Sequence, residues 1–249
     1  MNDSLHKKRD DDYIIEVSGL TKSFGNIEAL RGIDLKIKKG EFLTIFGPNG
    51  AGKTTLISIL SNLMKPNSGT VSIGGIDLSD GGDAVRRDIG VVSHNTYLYN
   101  NLTPYENIRF YGKIYGVDNL EERTYNVIVE VGLKGRMYDQ VRTFSRGMQQ
   151  RLSLARALIH NPSVIFLDEP YTGLDQYAAH LLKDLLTGLH IDNNRTIVMT
   201  THNIERGLEM CDQVAMQVRG KILYREPISK IDRDNFEDIY FAVCEANNQ

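Results

Sequence analysis

The sequence predicts an α/β protein, a largely buried sheet with a block of helices set into it. Three observations carry this. Short β-rich runs alternate with helical segments from residue 13 onward. One run is apolar almost throughout and feeds directly into a glycine-rich loop. Between about 103 and 160 the β-rich runs nearly vanish and helical periodicity takes over, before strands return.

In chain order, residues 14–17 and 33–37 alternate apolar and polar side chains, as half-buried strands do. Residues 41–46 read as a strand covered on both faces. A helix is expected from 53 to about 63, closed by the turn Lys65-Pro66-Asn67-Ser68-Gly69. Residues 71–73 and 89–92 are further strands. Helical periodicity runs over 104–115, 121–131 and 145–160, and strands return at 164–167, 196–200 and 213–218. No internal repeat or low-complexity linker interrupts the pattern.

A chain of 249 residues can bury a sizeable core. Its hydrophobic fraction of 41% and charged fraction of 24% are ordinary for a globular protein. A net charge of −3 offers no broad basic field, so no nucleic-acid partner is expected. No apolar run approaches the ~20 residues needed to cross a bilayer. The opening MNDSLHKKRDDD has no apolar stretch after its basic residues, so residues 1–12 read as a charged tail rather than a secretory leader. Cys211 and Cys244 have no histidine at metal spacing, which suggests reduced thiols and a cytosolic setting.

The chemistry begins after the 41–46 strand, at Gly47-Pro48-Asn49-Gly50-Ala51-Gly52-Lys53-Thr54-Thr55. This is G-x-x-x-x-G-K-S/T in the strand–loop–helix context that the pattern requires. Glycines let backbone N–H groups approach phosphate oxygens with no Cβ in the way, and the following helix N-terminus adds partial positive charge. Lys53 suits the β- and γ-phosphates, and the Thr54 hydroxyl suits Mg²⁺. A nucleotide with Mg²⁺ is the expected ligand pair. The loop by itself does not choose among phosphate-loop proteins, and no N/T-K-x-D element suited to guanine is visible after the later 164–169 segment.

The apolar run 164–167 ends in Asp168-Glu169. That places two carboxylates at the carboxyl edge of a sheet, where nucleotides bind in open α/β folds. Asp168 can hold the water shell of Mg²⁺, and Glu169 can act as general base on the attacking water. An apolar run stopping at Asp-Glu is weak alone and gains meaning from the upstream loop. His202 follows the 196–200 strand, where a bond to the γ-phosphate or the water outweighs a mere capping role.

Phe144-Ser145-Arg146-Gly147-Met148-Gln149-Gln150-Arg151, followed by a helical run and the carboxylate strand, selects among phosphate-loop proteins. It resembles the signature of the ABC (ATP-binding cassette) ATPases, and the likeness extends over residues 13–224. The resemblance implies a RecA-like P-loop NTPase core with an antiparallel β subdomain and an inserted helical subdomain. The core would occupy about 13–95 and 161–224, the helical subdomain about 96–160, and 225–249 a short C-terminal tail.

The resemblance also implies roles. Phe24 would stack on adenine, and Gly173-Leu174-Asp175 would form the loop that crosses a dimer interface. Ser145 and Gly147 would touch ATP held by a second copy, so that ATP binding makes a homodimer. A separate transmembrane permease subunit would be the other partner, holding the chain at the cytoplasmic face of the membrane. His94 stands where glutamine is usual and would meet the metal's water, or else simply pack against the membrane subunit. Phe110, Tyr111 and Tyr115 fit a dock for that subunit or ordinary core. His94, the stretch from Leu98-Tyr99 to Leu102-Thr103 and the Ser145-Arg146-Gly147-Met148 signature, in which Arg146 and Met148 depart from the commoner residues, together resemble exporter ATPases such as the cytochrome c maturation haem exporter subunit and its relatives. A soluble ABC ATPase without a membrane partner is the alternative; co-purification with a membrane subunit separates the two. A small-molecule kinase fits the signature segment poorly.

Overall fold

The computed structural model describes residues 12–191 and 194–246. All but the last residue of the expected N-terminal tail therefore lies outside the described residues.

Two strands of twelve residues open the fold, β1 (Tyr13–Phe24) and β2 (Ile27–Lys38), paired antiparallel. They run well past the short alternating stretches visible in the sequence. Cross-strand hydrogen bonds carry the pairing, through several register shifts, into exposed residues whose side chains leave no pattern. β4 (Ser68–Ile73) and β5 (Ile76–Asp77) complete a four-stranded sheet in the order β2-β1-β4-β5, all antiparallel.

The second sheet has six strands in the order β10-β9-β3-β8-β7-β6. β3 (Phe42–Phe46) is central, flanked by β8 (Thr196–Thr201) and β9 (Gln213–Val218); beyond β8 lie β7 (Val164–Asp168) and β6 (Ile89–Val92). These five run parallel, and β10 (Lys221–Pro227) closes one edge antiparallel to β9. Alternation along each central strand feeds two separate cores. Phe42, Phe46, Ile165, Leu167 and Met199 face one cluster, whereas Leu43, Ile45, Val164, Phe166 and Val198 face the other.

The first helix, α1 (Lys53–Leu60), stops three residues short of the expected end. Asn62 turns left-handed with φ of 55°, and the Ser61 hydroxyl bonds back to the Ile57 carbonyl at 2.7 Å. After α2 (Leu78–Arg86), the helical block between β6 and β7 holds α3 (Pro104–Tyr115), α4 (Leu120–Glu130) and α5 (Arg146–Leu158). α3 begins where its sequence says it must. Thr103 and Glu106 form a reciprocal capping box, Pro104 opens the first turn, and Gly116 ends the helix with φ of 67°.

Helix α6 (Gln176–Ile191) covers the sheet after β7, and the short α7 (Ile204–Leu208) follows β8. The segment expected as a short tail instead carries the end of β10 and a helix, α8 (Phe236–Glu245). Its Phe236 is fully buried, with its ring 5.4 Å from that of Phe46.

Candidate functional site

Three adjacent strands deliver the site. β3 ends at Phe46 and runs into the glycine loop, β7 ends in Asp168-Glu169, and β8 ends at Thr201 before His202. Because β8 lies between β3 and β7, the three carboxyl ends meet along one edge of the sheet.

In the loop 47–55, Gly50 and Gly52 adopt φ of 80° and 97°, conformations that glycine takes without steric cost. A Cβ on Gly47 would collide with the Gln217 carbonyl, and one on Gly52 with the Ala29 carbonyl. Neighbouring backbone thus presses the loop inward from β9 and β2. Gln217, fully buried in β9, also donates to the Ala51 carbonyl at 3.1 Å, and the Gly220 N–H donates to the same oxygen at 3.0 Å. The loop shape is therefore held from outside.

Lys53 is buried, and its Nζ donates to the Gly47 and Pro48 carbonyls at 2.6 and 3.2 Å. The same ammonium lies 3.5 Å from Glu169 Oε1, while His202 Nδ1 lies 2.9 Å from Glu169 Oε2. The carboxylate is thus held at both oxygens by groups from the other two strand ends. Glu169 is mostly buried, and its backbone takes φ of 51°. Asp168, also buried, accepts from the Thr200 hydroxyl at 2.7 Å. Thr200 further ties the pair together, because its carbonyl accepts from the Glu169 N–H at 3.1 Å.

Thr200 and Gln217 were not singled out in the sequence. Each is a polar residue inside an apolar strand run, a usable signal once the neighbouring strands are known. Tyr240 of α8 also approaches this region. Burial foremost, with contributions from Cys244 and the Glu169 charge, pushes its phenol up to about 12.

The remaining candidates stand apart from this cluster. Phe24 sits at the tip of the β1–β2 hairpin with its ring half exposed and Lys22 Nζ 5.5 Å from the ring centre. Ser145 caps α5, its hydroxyl accepting from the Met148 N–H at 3.3 Å. Gly147 is buried, and a Cβ there would come within 2.5 Å of the Ala178 Cβ, so α6 itself demands glycine at this point. His94 is exposed after β6, and its carbonyl accepts from Arg146 Nη2 at 2.9 Å.

The donor set suits a triphosphate with Mg²⁺. The first turn of α1 carries N–H groups that a helix cannot satisfy internally, beside a loop with no room for a Cβ at Gly47 or Gly52 and a buried cation. An exposed Thr54 side chain and the Asp168 carboxylate are oxygen donors of the kind that could hold Mg²⁺, whose shell phosphate and water would complete.

Comparison with known proteins agrees. Residues 30–172 match the family model described as ABC transporter. The chain is 33% identical over 219 residues to the ABC transporter ATP-binding protein NatA of Bacillus subtilis (strain 168), covering 86% of this chain and 89% of that one. It is 33% identical over 234 residues to the bacitracin transport ATP-binding protein BcrA of Bacillus licheniformis, covering 94% and 76%. Among solved structures, the ATP-binding cassette MJ0796, a dimer in a post-hydrolysis state bound to ADP and Pi, superposes with a TM-score of 0.78 at 30% identity. That match covers 86% of this chain and 98% of the cassette. With its three strand ends gathered on one phosphate loop and its relatives sharing most of their length with it, the chain belongs to the ABC transporter family as an ATP-binding, ATP-hydrolysing subunit.

Proposed function

We propose that this subunit powers export through a separate membrane subunit, by closing into an ATP-bound homodimer and reopening after hydrolysis. The observation that carries the catalytic part is the position of Glu169, clamped at one oxygen by Lys53 and at the other by His202.

In this reading the phosphates rest on residues 47–55, with Lys53 turned from its own loop carbonyls toward the β- and γ-oxygens. Adenine stacks on the exposed ring of Phe24. Thr54 and Asp168 would hold Mg²⁺, with His94 a further contact to its water; the ion would neutralise charge developing on the transferred phosphoryl group. Glu169 takes a proton from the attacking water, and His202 orients the γ-phosphate. Ser145 and Gly147 of one copy complete the site of the other, where a helix N-terminus favours phosphate.

Export as the direction is supported by the names of relatives. The fluoroquinolones export protein MT2762 of Mycobacterium tuberculosis is 35% identical over 212 residues, and the Nod factor export protein I of Cupriavidus metallidurans is 34% identical over 224. Likeness to a haem exporter rests on the Ser-Arg-Gly-Met signature, His94 and the stretch from Leu98 to Thr103. No helix among the described residues is long and apolar enough to cross a membrane, in keeping with a membrane subunit that is a separate chain at the cytoplasmic face. The aromatic groove around Tyr97, Tyr111 and Tyr115 is its natural dock.

The test is Glu169→Gln. Hydrolysis is expected to fall by ~10²-fold or more, while size-exclusion chromatography with ATP and Mg²⁺ shows an accumulated dimer. Turnover near the wild-type rate would move the base elsewhere.

A further inference from the structure

Helix α5 begins at the serine tip and grips a second segment along its length. Three of its side chains reach the backbone at the end of β6 and just beyond it. Arg156 Nη2 donates to the Val91 carbonyl at 2.8 Å, Ser153 Oγ to the Thr96 carbonyl at 3.5 Å, and Arg146 Nη2 to the His94 carbonyl at 2.9 Å. Spacings of seven and three put all three on one helix face. Every acceptor is a carbonyl, so the hydrogen bonds themselves do not require particular side chains at 91, 94 and 96.

The inner two grips are buried in structure. Ser153 is fully buried, and the Arg156 guanidinium lies 5.8 and 5.4 Å from the rings of Tyr97 and Tyr111. The outer grip differs. Arg146 is only half-buried, follows Ser145 directly, and leans its stem toward Gly173, where an added Cβ would be 3.8 Å from Arg146 Cγ. Sequence departures at 94 and 146 thus meet in space.

We propose that Arg146 is a positioning residue for the ATPase cycle: by clasping the His94 carbonyl, it makes segment 93–97 and the Ser145 tip move as one body. This rests on the reading of Ser145 as a contact to ATP on the opposite copy. Ser145's own bond, to Met148 N, stays inside α5 and leaves the aim of the tip to whatever anchors the first turn. A planar guanidinium in a charge-assisted hydrogen bond fixes direction as well as distance. Lysine at the same place would supply charge with looser geometry.

The experiment uses the full chain with Arg146→Ala and Arg146→Lys. Amide hydrogen exchange is read without nucleotide, and steady-state hydrolysis is then followed across ATP concentrations. In Arg146→Ala, exchange over 93–97 is expected to accelerate by about tenfold, while β7 stays unchanged. The half-saturating ATP concentration should rise several-fold with a smaller change in kcat, since Lys53, Asp168, Glu169 and His202 are untouched. Arg146→Lys should restore part of both. Unchanged exchange in Arg146→Ala overturns the clasp. Faster exchange with half-saturation at the wild-type value overturns the positioning role and leaves only loop support. Failure of the Glu169→Gln chain to dimerise on ATP would overturn the reading of Ser145 while leaving the exchange result intact, so the two failures are distinguishable.

Discussion

Glu169 stands with φ of 51°, a left-handed conformation that costs a non-glycine residue roughly 1–2 kcal/mol. The pairing of Asp168 with Thr200 ends β7, and the left-handed turn directly after it is what aims the next side chain at Lys53 and His202. Comparing Glu169→Gly with Glu169→Ala isolates that cost, because both lose the carboxylate. Both should be inactive, and the glycine form should be more stable by about 1 kcal/mol in urea unfolding. The residue types of the phosphate loop and the Asp-Glu pair were legible in sequence because their chemistry is local. Thr200 and Gln217 were not, since a hydroxyl or amide inside a strand means nothing until the neighbouring strand supplies its partner.

Among elements, α3 was readable to the residue because cap, opening proline and closing glycine all lie within its own sequence. α6 keeps Ala179, Leu182, Leu186 and Leu189 at helical spacing, a signal present in the sequence. α8 was read as tail. What makes it structural is Phe236 against Phe46, a partner 190 residues earlier that periodicity cannot reveal. Phe46 also limits α7: a Cβ on Gly207 would strike its ring. One aromatic directly before the phosphate loop therefore supports both helices behind it. Phe236→Ala should cost about 3–5 kcal/mol, seen as a lower urea midpoint. A solvated tail would give no shift.

For the whole molecule, the sequence revealed which runs are strands and that helices interrupt them. The lateral order of those runs lies in contacts between distant segments, and only that order explains why His202 meets Glu169. The two thiols sit at different depths of this assembly. Cys211 is buried in the core beside the start of β9, and burial foremost pushes its thiol up to about 11. It stays protonated at neutral pH and so reacts slowly. Its contribution to stability is intact below the ordinary thiol range and declines as pH rises through that range toward 11. Cys244, on α8, is raised by burial too but remains half-buried. Alkylation at pH 7 should therefore mark Cys244 whenever the last helix lifts, and Cys211 only when the sheet itself comes apart. Peptide mapping of a labelling time course would show both sites marked together if the helix and sheet open as one. A chain without tryptophan thus carries its own two-stage timer, one sulfur for the closing helix and one for global collapse.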